Sequence, residues 1–167
     1  MIACLDVSYH NDVAYAAAVI FRNWPDANAV DEKVIRIPDV QPYEPGRFFR
    51  RELPCLLAVL KTLPPIHSAI IDGYVWLDGV SKPGLGAHLY QALGGQVAVV
   101  GVAKTKLQGA DRACEVIRGT SRRPLFVTAV GLPPELAAEY VRSMHGKYRM
   151  PTLLARVDYL SRHGQAA

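Results

Sequence analysis

Two runs of apolar and β-branched residues, 2–9 and 13–22, are separated only by His10-Asn11-Asp12, and a third, 30–37, follows Asn23-Trp24-Pro25-Asp26. Both separators are good turn chemistry, so the runs fold back on one another as a three-stranded antiparallel meander. That start restricts the rest of the chain to covering and extending a sheet. Phe49, Leu53, Leu56, Leu57 and Leu60 then fall at helical spacing, and Pro64-Pro65 ends the pattern. Pro54 is expected in the first turn of this helix, which places the helix start near Arg51. Strands are expected at "SAIID", "QVAVVGVA" and "PLFVTAV", and helices over 84–93, 134–145 and about Pro151 to Ser161. The whole, residues 1–167, reads as one α/β domain: a mixed sheet of three antiparallel and then parallel strands, with helices on both faces.

Two of the apolar runs end on a carboxylate. "IACLDVSY" delivers Asp6 and "AIIDGY" delivers Asp72. Asp72-Gly73 is also a common turn dipeptide, so a strand-end turn accounts for one such residue without any chemistry. In sheets of this class, however, sites gather beyond the carboxyl ends of parallel strands. If these two strands are neighbours, the carboxylates meet there and repel unless a cation lies between them. Mg²⁺ suits such a pair, since it takes oxygen ligands from one or two carboxylates and leaves other positions to water and phosphate. Glu52, in "FFRRELP", lies beside rather than within the apolar stripe of its helix. It is either a third member of the site or an acid favoured by the helix dipole.

Composition narrows the class further. Half of the residues are hydrophobic and a fifth are charged, the balance of a folded globular chain rather than a disordered one. The formal charge of +4 is compatible with an anionic partner but does not require one. Cys4, Cys55 and Cys114 are widely spaced, with no Cys-x-x-Cys pair, which points to small core residues in a reducing cytoplasm rather than zinc ligands or disulfides. No apolar run approaches the ~20 residues of a membrane span and no leader-like segment opens the chain, so a cytoplasmic, membrane-free protein is expected. The histidines lack metal-ligand spacing, and His88 reads as a structural helix residue.

Taken together, the motifs resemble the endonuclease V family, ribonuclease-H-like enzymes that use Mg²⁺ to cut nucleic acid beside deoxyinosine or inosine. "LDVSY" resembles the family's first-strand motif, and "PYEPGRFFRRELP" its Pro-Tyr-x-Pro loop followed by Phe-Arg-Glu. "IDG" at 71–73 resembles the second-aspartate motif, with "GLGAHL", "GVAKTKL" and "YRMP" following in the family order. The resemblance implies Asp6 and Asp72 as metal ligands, with Glu52 and Asp158 completing the acidic site. It implies Lys104 as an active-site lysine, Tyr43 as a wedge in the base stack and Gly73 as part of the nucleic-acid contact. Each has a plainer reading: Tyr43 as a loop anchor between Pro42 and Pro45, Lys104 as a side chain reaching water, Asp158 as a solvated helix acid. Arg47, Arg50, Arg51, Lys104, Lys106, Arg112, Arg118, Arg122 and Arg123 form a basic set around the motifs, most of it expected to be solvated surface.

The implied activity is hydrolysis of the second phosphodiester on the 3′ side of a deaminated base in DNA, with RNA as a second substrate, by a monomer using Mg²⁺ or, in its place, Mn²⁺. Departures from the family pattern leave two alternatives open: a nuclease of this fold that reads structure rather than inosine, and a degenerate binding module. The chain begins almost directly on the first strand, without the family's usual N-terminal extension. After Gly73 the run is "YVWLDGVSKPG", with Val75 in place of the family's second glycine. A β-branched residue there is expected to put bulk where a base edge approaches, giving only a modest preference for inosine.

Overall fold

A computed structural model describes residues 1–164, which form a seven-stranded sheet with two helices on each face. Strands β1 (Ile2–His10), β2 (Val13–Phe21) and β3 (Asp31–Ile37) make the expected antiparallel meander. Asn11 turns the first hairpin at φ 56°, a left-handed conformation that asparagine tolerates better than most residues. Helix α1 (Phe49–Leu60) leads into β4 (Ser68–Asp72), which pairs in parallel with β1, and α2 (Leu85–Ala92) leads into β5 (Ala98–Ala103), which pairs in parallel with β4. The chain then passes through β6 (Cys114–Val116) and β7 (Leu125–Val130) and ends on α3 (Pro134–Ser143) and α4 (Thr152–His163). The strand order is β3-β2-β1-β4-β5-β7-β6.

The mixed sheet matches the expected class, with three differences in detail. β7 runs antiparallel to β5 instead of continuing the parallel set. The physical reason is the connection, because residues 104–124 contain no helix to carry a parallel crossover over the sheet. β6 escapes a reading of periodicity, since three residues with Glu115 in the middle show no apolar run; it lies at the sheet edge against β7. Helix α1 begins at Phe49, so Pro54 lies in its second turn, on the exposed side. There the missing proline N–H leaves the Arg50 carbonyl to water rather than to an apolar interior.

Strand alternation sorts the side chains between two cores. Ile2 and Cys4 of β1, Ile70 of β4, and Val100 and Val102 of β5 pack against Val141 of α3 and Leu153, Val157 and Leu160 of α4. Ala3, Leu5, Val7, Ala69 and Ile71 point the other way, against Leu56 and Val59 of α1 and Leu85 and Leu89 of α2. Trp24, in the β2–β3 connection, stacks on Tyr140 of α3 at 4.9 Å between ring centroids and fixes that helix to the sheet. Among the described residues, no helix is long and apolar enough to cross a membrane.

Candidate active site

Strand register brings the first two carboxylates together. β1 and β4 pair up to Leu5↔Ile71, so Asp6 and Asp72 occupy the next position on neighbouring parallel strands, about 4.8 Å apart along the sheet. The alternation that sends Ile2 and Cys4, Ile70, and Val100 and Val102 to the α3/α4 face sends Asp6 and Asp72 to the same side. Continued one step past β5, it places Lys104 there as well. α4 crosses that face and contributes Asp158. Glu52 arrives from the opposite side, because α1 covers the other core and its first turn stands at the strand ends.

The four carboxylates face one open cleft of 670 Å³, lined also by Phe48, Arg162 and His163. A smaller cavity of 280 Å³ adjoins it, with Lys104 at its edge and Leu5, Ile71, Val102, Met150 and Leu154 among its walls. Five sequence-derived candidates, Asp6, Glu52, Asp72, Lys104 and Asp158, therefore border a continuous region. Tyr43 and Gly73 do not line it.

Burial, reinforced by crowding of like charge, shows in three of the carboxyl groups. Burial pushes Glu52 up to about 8, with Asp6 and Asp72 adding to the effect and Arg51 opposing it. Asp6 is pushed up to about 6, first by burial; a hydrogen bond from Ser161 opposes the shift, and Asp72 and Asp158 reinforce it. Asp72 is the most open of the four, yet its carboxyl is also raised, by partial burial and by Asp158, against the pull of Lys104 and Arg162. Glu52, Asp6 and Asp72 are each held where the charged form is disfavoured without a nearby cation. A set of oxygen donors in that condition suits a hard divalent cation. Among the described residues, no three His, Cys, Asp or Glu side chains close around a common point as a ready-made cage. Two contacts hold the acids instead: Ser161 Oγ donates to Asp6 Oδ2 at 2.6 Å, and Arg162 Nε donates to Asp158 Oδ1 at 3.1 Å.

The surrounding loops divide between exposed and braced. Tyr43 is 60% exposed in the segment before α1, which leaves its ring available rather than packed between the flanking prolines. Gly73 takes φ +123°, a conformation that side chains rarely adopt, although a Cβ there would meet open space. Tyr74 links the end of β4 to the Lys104 loop, since its hydroxyl donates to the Thr105 carbonyl at 2.9 Å and accepts from the Leu107 N–H at 3.0 Å. Arg149 grips the same loop, donating to the Lys104 carbonyl and, at 2.7 Å, to that of Pro124. His88 stacks on Phe49 at 4.0 Å, between α2 and α1, in the structural role expected of it.

Two expectations need correction. Val75 is fully buried under α2, with its N–H donating to Thr128 Oγ1 at 2.8 Å, so its side chain adds no bulk to any surface a base reaches. The loop after it is set by Asp78, whose carboxylate accepts from the N–H groups of Val80, Ser81 and Lys82. Arg118 belongs to the core rather than to the basic surface: it is 4% exposed and donates to the carbonyls of Met144, Gly146, Tyr148 and Arg149. Residue type alone conceals this, because a guanidinium that bonds several carbonyls at once can be buried.

Ser161, Arg162 and Phe48 escaped the reading of the sequence. Ser161 lies three residues beyond Asp158, one helical turn on, and that spacing is the signal that points to it.

Residues 1–130 match the family model for Endonuclease V. The Endonuclease V of Streptomyces avermitilis is 33% identical over 188 aligned positions that span 95% of this chain and 77% of that protein. The Endonuclease V of Thermococcus kodakarensis is 30% identical, spanning 96% of this chain and 77% of its own length. The crystal structure of the Streptomyces avermitilis protein superposes with a TM-score of 0.80 at 29% identity, covering 96% of this chain and 79% of that one. Ciona intestinalis Endonuclease V, solved in complex with a 24mer DNA containing an inosine followed by a ribo-adenosine, superposes at 0.77 with 20% identity and the same 96% of this chain, and 84% of its own. These neighbours share the ribonuclease-H-like fold.

Proposed function

Because the chain belongs to the endonuclease V family, we propose that it is a divalent-metal-dependent nuclease that hydrolyses a phosphodiester on the 3′ side of a deaminated purine. The observation that carries this reading is the in-register meeting of Asp6 and Asp72, with Glu52 and Asp158 facing the same cleft. Deoxyinosine in DNA is the proposed substrate, with inosine in RNA as the second. The inosine-containing DNA bound by the Ciona relative supports that choice. The modest preference expected from Val75 has lost its physical ground, since that side chain is buried in the core.

Asp6 and Asp72 are the proposed ligands of Mg²⁺, with Mn²⁺ as its substitute. When bound, the cation supplies a water of lowered pKa and offsets charge on the phosphoryl oxygens. Glu52 and Asp158 flank the pair and order the attacking water by accepting its hydrogens. Lys104, on the far side of Asp72, places a positive charge beside the departing 3′ oxygen. The Gly73 backbone lets the strand approach the end of β4, and Tyr43 fills the gap left in the stack by a displaced base. No protein nucleophile takes part.

Incubation of the protein with labelled oligonucleotides that differ only in inosine or guanine at one position, with and without Mg²⁺, tests the reading. Metal-dependent cutting beside inosine is the expected result. Equal cutting of both strands points instead to a structure-selective nuclease, and binding without cutting to a recognition module.

A further inference from the structure

Ser161 is 1% exposed, and its hydroxyl lies between the Asp6 carboxylate and the backbone carbonyl of Asp158. It donates to Asp6 Oδ2 at 2.6 Å, and the carbonyl of Asp158 lies 3.0 Å away as its other acceptor. A serine carries a single hydroxyl proton, so these acceptors compete for it. Bonding back to the carbonyl three residues earlier is what a serine can do in any helix, and it would leave Asp6 unattended. The shorter contact to an anionic acceptor is the stronger one. Ser8, two residues beyond Asp6 on β1, donates its own hydroxyl to the Ser161 carbonyl. The end of α4 is thus tied to β1 twice, at the Asp6 carboxylate and at Ser8.

We infer that Ser161 is a positioning residue of the metal site: its hydroxyl holds the Asp6 carboxylate at the angle at which the ion is bound, and couples it to the helix that carries Asp158. The inference rests on the reading of Asp6 and Asp72 as metal ligands. Partners that orient a ligating carboxylate typically contribute about 10- to 100-fold in metal affinity or activity. Packing alone would contribute nothing specific to the ion.

The test is calorimetric titration of the full chain with Mn²⁺, in the absence of nucleic acid, with folding followed by circular dichroism and thermal melts. Ser161→Ala is expected to bind Mn²⁺ about 10- to 100-fold more weakly than the wild type while remaining folded. The Mg²⁺ concentration giving half-maximal cleavage should rise by the same factor, with little change in KM for the oligonucleotide. Thr and Val have the same shape and differ in the hydroxyl, so Ser161→Thr should bind Mn²⁺ close to wild-type affinity and Ser161→Val as weakly as the alanine variant. This pair also decides the matter if Ser161→Ala fails to fold. Wild-type affinity in the alanine or valine variant, or equal weakening in the threonine and valine variants, overturns the inference and leaves the metal reading intact. Failure of the wild type to bind Mn²⁺ overturns the metal reading itself, and this inference with it.

Discussion

Val75 packs directly over Gly86: a Cβ built on Gly86 would fall 2.5 Å from Val75 Cγ2 and 2.9 Å from Val75 Cα. The exit of β4 and the first turn of α2 are therefore in contact backbone to side chain, and the family-like "GLGAHL" needs its second glycine for packing. Gly86→Ala should cost about 1–3 kcal/mol by overpacking. Val75→Ala should cost about 2 kcal/mol through the cavity it leaves. Denaturant melts check both values. Neither change should alter the ratio of kcat/KM for inosine over guanine, because neither side chain reaches the cleft.

The paired aspartates give the sharpest functional prediction. Asp6→Asn and Asp72→Asn should each abolish cleavage and keep or tighten binding of an inosine-containing oligonucleotide, since on the proposed mechanism each removes a metal ligand and a negative charge facing phosphate. Gel-shift and cleavage assays on the same preparations measure both. Calcium should support binding without turnover, because its flexible coordination does not reproduce the octahedral demand of Mg²⁺.

Stability of the metal-free protein should depend on pH through the same burial and crowding. Glu52 is raised from its ordinary 4.5 to about 8 in the fold, so between those values the folded chain holds a proton that the unfolded chain has released. Stability therefore falls as pH rises through that window, and Asp6, raised to about 6, adds to the fall at its acidic end. Thermal melts from pH 5 to 8.5 in chelator should show a declining Tm. Glu52→Gln should flatten the decline, and Mg²⁺ should raise Tm most at the alkaline end, where the carboxylates are charged.

Tyr43→Ala should weaken discrimination between inosine-containing and normal duplexes more than it slows cutting of a single-stranded substrate, which has less stacking to disrupt. Relative kcat/KM on the two substrates measures the effect. Equal losses would make the ring a loop anchor, a role that its exposure disfavours.

Much of this molecule was legible before its structure. Long apolar runs with clear turns give the meander, and strand-end aspartates are visible because a charged residue ending a buried run has few explanations. What remained hidden depended on contacts distant in sequence. Antiparallel β7 follows from the absence of a crossover helix, and β6 is too short to carry a period. Val75 and Arg118 were misassigned because residue type was taken for location: a valine in a rebuilt loop turned inward, and an arginine found four carbonyls to bond. Ser161 is an ordinary helical serine until β1, 155 residues away, is brought against it.

The acidic cleft joins the first strand described to the last helix. Asp6 is translated before every other residue of the site, whereas Asp158 and Ser161 emerge only after every strand of the sheet has been made. Until α4 docks, Ile2 and Cys4 lack part of their apolar cover and Asp6 lacks its hydroxyl partner. On the proposed activity, a chain still attached to the ribosome has no assembled cutting centre beside the messenger RNA that encodes it.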